Sequence, residues 1–131
     1  MADAASKKKE RPKNLDLTSI RLPLPGFVSI LHRVSGAGLF LMLPVLLWLF
    51  QASVGSADGF ETFKSVAAHP LVKLLLLGLI WAYLHHFCAG LRFLALDLHM
   101  GLDLETARLT SKIVLGVSLI ATAFIGVTVL W

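Results

Sequence analysis

Leu39-Phe40-Leu41-Met42-Leu43-Pro44-Val45-Leu46-Leu47-Trp48-Leu49-Phe50 is the stretch that decides the fold. It is the greasiest part of a segment, Val34 to Ala57, that holds no Asp, Glu, Lys or Arg. Crossing the hydrocarbon layer of a bilayer takes roughly 20 helical residues at about 1.5 Å rise each, and this segment is long enough. Leu74 to Leu91 and Ile113 to Trp131 are two further segments of the same kind. None of the three alternates polar and apolar residues, so strands are not expected. The rest of the chain agrees. Of its 131 residues 56% are hydrophobic and 15% charged, against about 45–50% and about 25% in a soluble domain. A chain of this length cannot hide so many apolar side chains from water. The composition excludes a soluble globular enzyme and a disordered tail, and the single cysteine, Cys88, excludes an internally bridged secreted scaffold. The expected fold class is an all-α integral membrane protein with three transmembrane helices.

Proline is favoured in a first helical turn, which places the first helix at about 25–53, from Pro25, and the second at about 70–98, from Pro70. The third is expected over about 110–131. Pro44 falls inside the first helix, where it removes an amide hydrogen and is expected to kink it. Gly55, Asp58 and Gly59 read as a short external loop, and Met100 to Ser111 as a second short connection holding at most a turn of helix. Residues 1–24 then form an N-terminal segment and residues 25–131 a three-helix anchor. Lys7, Lys8, Lys9, Arg11, Lys13, Arg21 and Arg33 all precede the first span, and Arg92, Arg108 and Lys112 flank the second connection. The loop between the first two spans offers only Lys64 and Lys73. By the positive-inside rule the N-terminus and the second connection are cytoplasmic and the C-terminus periplasmic. The net charge of +4 is therefore read as topogenic, with no nucleic-acid partner expected. No apolar segment follows the lysines before Phe27, unlike a cleavable signal, and Asp3, Glu10 and Asp16 do not suit an organelle transit peptide. A bacterial inner (cytoplasmic) membrane is the expected location.

Ionisable residues within a span are costly and mark a partner, a cavity or a cofactor. Two clusters stand out. Ser29, His32, Arg33 and Gly36 follow i, i+3, i+4, i+7 spacing at the start of the first helix and share one face. His85-His86-Phe87-Cys88-Ala89-Gly90-Leu91-Arg92 lies in the last part of the second. The first helix leaves the cytoplasm at Arg33 and the second returns at Arg92. His86 is then about 9 Å below Arg92 on a 1.5 Å rise, at a depth similar to that of Arg33. Gly90, one turn from His86, removes a side chain that would block a flat ligand. An imidazole beside bare backbone, with Arg and His at the same level, suits an intramembrane haem: His86 on the iron, Gly90 admitting the ring, Arg33 and His32 neutralising the propionates. Plainer readings stand beside this one. Neighbours on a helix diverge by about 100°, so His85 and His86 cannot both face one site, and one of them is structural. Arg33 and Arg92 also suit snorkelling anchors, Ser29 a bond to its own helix, Gly36 and Gly38 close helix packing, and Cys88 an inert core position. His69 lies on the external side and His99 in the cytoplasmic connection.

Arg11-Pro12, Asn14-Leu15-Asp16-Leu17 and Ser29-Ile30-Leu31-His32-Arg33-Val34-Ser35-Gly36 together resemble the N-terminal signature of the cytochrome b membrane-anchor subunits of succinate dehydrogenase. His86-x-x-x-Gly90-Leu91-Arg92-Phe93 followed by Asp97 is similar to that family's second signature. The resemblance runs from Arg11 through the third span and joins two separated motifs to the right number of spans. It implies that His86 is the axial ligand of haem b and His85 structural. It implies further that His32 and Arg33 lie near the haem propionates and that Ser29 and Arg33 line the ubiquinone site. Asp97 matches a signature position without an assigned role, and Arg92 suits an anchor or a contact to extrinsic subunits. With no flavin fold and no cysteine cluster, this chain would act only as a subunit of the oxidoreductase. The partners implied are a flavoprotein subunit, an iron–sulfur subunit that delivers electrons to quinone, and a second membrane anchor sharing the haem. The rival readings are the anchor of a quinol:fumarate reductase and a cofactor-free anchor or assembly protein whose polar residues only glue helices.

Overall fold

Pro25 and Pro70 each sit in the first turn of a long helix, where a missing amide hydrogen costs nothing. The computed structural model describes residues 21–131. The Arg11–Pro12 and Asn14–Leu17 motifs, and most of the 1–24 segment, lie outside the described residues. Helix α1 spans Leu24–Gly55, α2 Ala57–Ala68, α3 Pro70–Asp97 and α4 Leu104–Ile125, and a π-helical turn, Gly126–Leu130, prolongs α4. Three of these helices, α1, α3 and α4 with its extension, are long and apolar enough to cross a membrane, and the described residues contain no strand. Pro44 lies inside α1, which runs on past it without a break.

Both connections depart from expectation, and for the same reason: each contains an N-cap that starts a helix. The stretch around Asp58 and Gly59 is no loop. Ser56 accepts a hydrogen bond from the Gly59 amide at 3.0 Å, and α2 follows at once, with Asp58 in its first turn and a Glu61–Lys64 ion pair at 2.7 Å. The third spanning helix starts at Leu104 rather than near 110, because Asp103 accepts the Thr106 amide at 2.8 Å. Only a tight turn separates α3 from α4. His99 takes a left-handed conformation (φ 61°), with its amide bonded to the Leu96 carbonyl and the Met100 amide to the Ala95 carbonyl. That pair of bonds is a Schellman ending in which histidine holds the position usually given to glycine.

Packing runs opposite to that of a soluble protein. α3 lies between α1 and α4 and contacts both. The fully buried side chains include Ser111, Ser118 and His85, with Ser35, Arg92 and Thr122 close behind, whereas Phe40 is 74% and Ile120 72% exposed. Lipid tails are as apolar as leucine, so spans associate through small and polar residues that let backbones approach. Val28, Ala89 and Val114 form the one small apolar cluster of buried residues, with one member from each spanning helix. At the far end Lys73 lies over the Trp131 ring at 5.3 Å, tying the start of α3 to the last residue.

Candidate functional site

The crossing of α1 and α3 brings His32 and His86 together. Their rings stack at 4.1 Å with only 8° between planes, and Phe93 meets His32 edge-on at 5.1 Å. His86 Nδ1 lies 3.0 Å from the His32 carbonyl oxygen. A carbonyl can only accept, so Nδ1 carries a hydrogen and donates it, and in the neutral imidazole the lone pair is then on Nε2. Ser35 Oγ, 3.4 Å from the same nitrogen, donates to the His32 carbonyl at 2.9 Å and completes a three-residue knot. Among the described residues Nε2 has no hydrogen-bond partner, and the buried side-chain nitrogens left unpaired are those of Trp81 and His85. The ring is half-buried.

His85 points the other way. Its side chain is fully buried, stacked on Trp81 at 5.2 Å, and neither ring nitrogen has a hydrogen-bond partner. The angular divergence of neighbouring residues thus separates the two imidazoles, one inside the bundle and one with an edge at its surface.

The remaining expected site residues are on α1. Ser29 is half-buried and Arg33 exposed, one turn apart on the helix that carries His32. Neither side chain has a hydrogen-bond partner among the described residues, so both present free donors on the flank of the histidine pair. Gly90 lies one turn from His86, but a Cβ there would meet only His32 Nε2, at 3.7 Å. The backbone that a side chain would obstruct is that of Gly36 on the facing helix, where a Cβ would fall 2.7 Å from His86 Cε1. The close packing expected of Gly36 is real, and its neighbour is the imidazole itself. Gly38 meets nothing within 4 Å.

Two residues prove more engaged than the sequence suggested. Arg92 is nearly buried, its Nε donating to Thr110 Oγ1 at 3.0 Å and a terminal nitrogen to the Ala107 carbonyl at 3.4 Å. It clasps α4 through these two bonds. Ser35 was legible only as part of a motif; its position three residues after His32 is the signal for its bond to that carbonyl. Asp97 is exposed at the end of α3.

The donor chemistry fits iron in a flat macrocycle. Among the described residues no group of three or more His, Cys, Asp or Glu could wrap a bare metal ion. A single imidazole with its proton engaged by a carbonyl and its other nitrogen accessible is the arrangement that surrounds metal-bound histidines. A tetrapyrrole brings the equatorial nitrogens itself.

Three apolar spans, two of which cross at a stacked histidine pair, define an all-helical integral membrane protein. Residues 7–125 match the family model described as succinate dehydrogenase/fumarate reductase transmembrane subunit. The "succinate dehydrogenase cytochrome b556 subunit" of Coxiella burnetii is 36% identical over 119 residues, 90% of this chain and 95% of the relative. The protein of the same name from Paracoccus denitrificans is 33% identical over 110 residues, covering 84% and 85% of the two chains. That of Rickettsia prowazekii is 25% identical over 118 residues, covering 90% and 92%. The chain belongs to the succinate dehydrogenase/fumarate reductase transmembrane subunit family, as a cytochrome b membrane anchor of that oxidoreductase. It is a multi-pass protein of the bacterial inner membrane.

Proposed function

We propose that this subunit binds haem b through His86 Nε2, shares it with a second anchor subunit, and forms part of the site where ubiquinone receives electrons from the iron–sulfur subunit. The observation that carries the reading is the His86 Nδ1–H bond to the His32 carbonyl, which in the neutral ring puts the lone pair on Nε2, the nitrogen available to iron. The relatives' name, cytochrome b556 subunit, supports the cofactor. When bound, haem supplies one-electron chemistry beside the quinone site. His32 and Arg33 are the cationic or hydrogen-bonding groups nearest to hand for its propionates. A second anchor subunit would supply the remaining protein contacts to the haem.

Ser29 and Arg33, one turn apart, offer a hydroxyl and a guanidinium to quinone carbonyl oxygens. Both donors favour the negative charge that develops there as electrons arrive. The excess of Lys and Arg before α1 supports a cytoplasmic position for this end of the bundle, where an extrinsic iron–sulfur protein and its flavoprotein partner would dock. With one cysteine in 131 residues, the chain leaves succinate oxidation to those partners.

A reduced-minus-oxidised optical spectrum of the purified complex is the test. A b-type band is expected, and His86→Ala should abolish or displace it; a band untouched by that change removes the assignment. In the same membranes, Ser29→Ala and Arg33→Ala should slow quinone reduction about tenfold or more while sparing succinate oxidation by a soluble dye. A tenfold loss corresponds to about 1.4 kcal/mol of transition-state stabilisation. Equal losses in both assays count against the quinone role.

A further inference from the structure

We propose that Gly36 is a positioning residue for the haem-ligating imidazole: only bare backbone at residue 36 lets the His86 ring approach α1 closely enough to donate Nδ1–H to the His32 carbonyl. The proposal rests on the haem reading above and names the residue that sets the ligand's tautomer and aim. A Cβ at position 36 would stand 2.7 Å from His86 Cε1, 3.1 Å from Nδ1 and 3.7 Å from Nε2. Carbon atoms pack best at about 3.5–4.0 Å, so the shortest of these distances is a collision. The obstructed atoms all belong to the imidazole ring, which moves only as a rigid unit. The His32 ring, parallel and 4.1 Å away, closes one face of the imidazole. A displaced ring must therefore swing off α1, and the 3.0 Å bond to the carbonyl is what that swing lengthens.

Losing the carbonyl has a chemical consequence. The hydrogen on the second ring nitrogen, held by an acceptor, orients the ring and makes the ligating nitrogen more basic, and removal of such an outer partner typically costs about 10–100-fold in metal affinity. A less basic ligand stabilises the oxidised iron less, so the midpoint potential should rise. The other nearby glycines supply the contrast. A Cβ at Gly90 makes an ordinary 3.7 Å contact, and one at Gly38 meets nothing within 4 Å.

The experiment uses the assembled complex carrying Gly36→Ala or Gly38→Ala. Haem content per complex after chromatography and the midpoint potential of the b-type band are measured, and dye-linked succinate oxidation reports assembly. Gly36→Ala alone should lose haem affinity by about 10–100-fold and raise the potential. A Gly36→Ala complex indistinguishable from wild type, or equal shifts in both variants, overturns the proposal. Should Gly36→Ala fail to assemble, a structure of the wild-type complex decides. The imidazole lying against the Gly36 backbone with Nδ1 on the His32 carbonyl upholds the proposal, and a ring turned away from α1 overturns it. Failure of the underlying reading looks different: the wild-type band is absent or survives His86→Ala, whatever residue 36 does.

Discussion

At residue 86 the proton position follows from one neighbour, a backbone carbonyl that cannot donate. Residue 85 gives the complementary case. Its ring is fully buried with both nitrogens unpaired, and an unpaired buried polar group costs about 1–3 kcal/mol, so an apolar ring of similar shape should be tolerated. His85→Phe is expected to leave the b-type band unchanged and to hold or raise the thermal stability of the purified complex. A lost band would mean that residue 85 reaches the cofactor. Which of the two histidines faces inward was not legible from their adjacency; helical geometry says only that they diverge, and the resemblance to known motifs selected His86. Gly36 was hidden for a related reason. The sequence shows which residues share a helix face, and Gly90 shares one with His86, but the backbone that must stay bare belongs to another helix.

At the scale of elements, the spans were legible because a bilayer imposes length and hydropathy together, and their starts because Pro25 and Pro70 punctuate them. The short helix α2 was not. Its 12 residues fall below any spanning length, and Gly55 and Gly59 at its start read as loop until Ser56 is seen capping it. Asp103 hid the true start of α4 in the same way. Its carboxylate is held below the usual range, chiefly by the bond it accepts from the Thr106 amide. A depressed acid favours the folded end above its unfolded pKa of about 3.9 and loses that contribution as pH falls through the lower folded value. Exchange protection of the Thr106 amide should therefore hold at neutral pH, fall only in acid below about pH 4, and become insensitive to acid in Asp103→Asn. Loss of protection already at pH 6 would contradict this. Between α3 and α4 the clasp is Arg92 on Thr110. A double-mutant cycle with Arg92→Met and Thr110→Val, read by denaturation in mixed micelles, should give a coupling of about 1 kcal/mol. Simple additivity would show that the two side chains act independently.

For the molecule as a whole, charge sets the expectation for the direction of insertion: the basic residues crowd before α1 and about the turn between α3 and α4. A reporter enzyme active only in the periplasm, fused after Trp131, should therefore be active, and the same reporter fused after Gly101 silent. The reverse pattern would place the histidine crossing on the outer side and remove it from reach of a cytoplasmic electron donor. The inverted packing of the bundle carries a broader lesson about how such a chain can change over generations. Outward positions such as Phe40 and Ile120 need only stay oily, so they are free to drift among leucine, isoleucine, valine and phenylalanine. Inward positions such as Ser111, Ser118 and Gly36 are constrained by size, and a single added methyl there must displace whatever packs against it. In a water-soluble protein the interior drifts in volume-matched swaps while the skin mutates freely; here the skin keeps its chemistry and the seam keeps its dimensions.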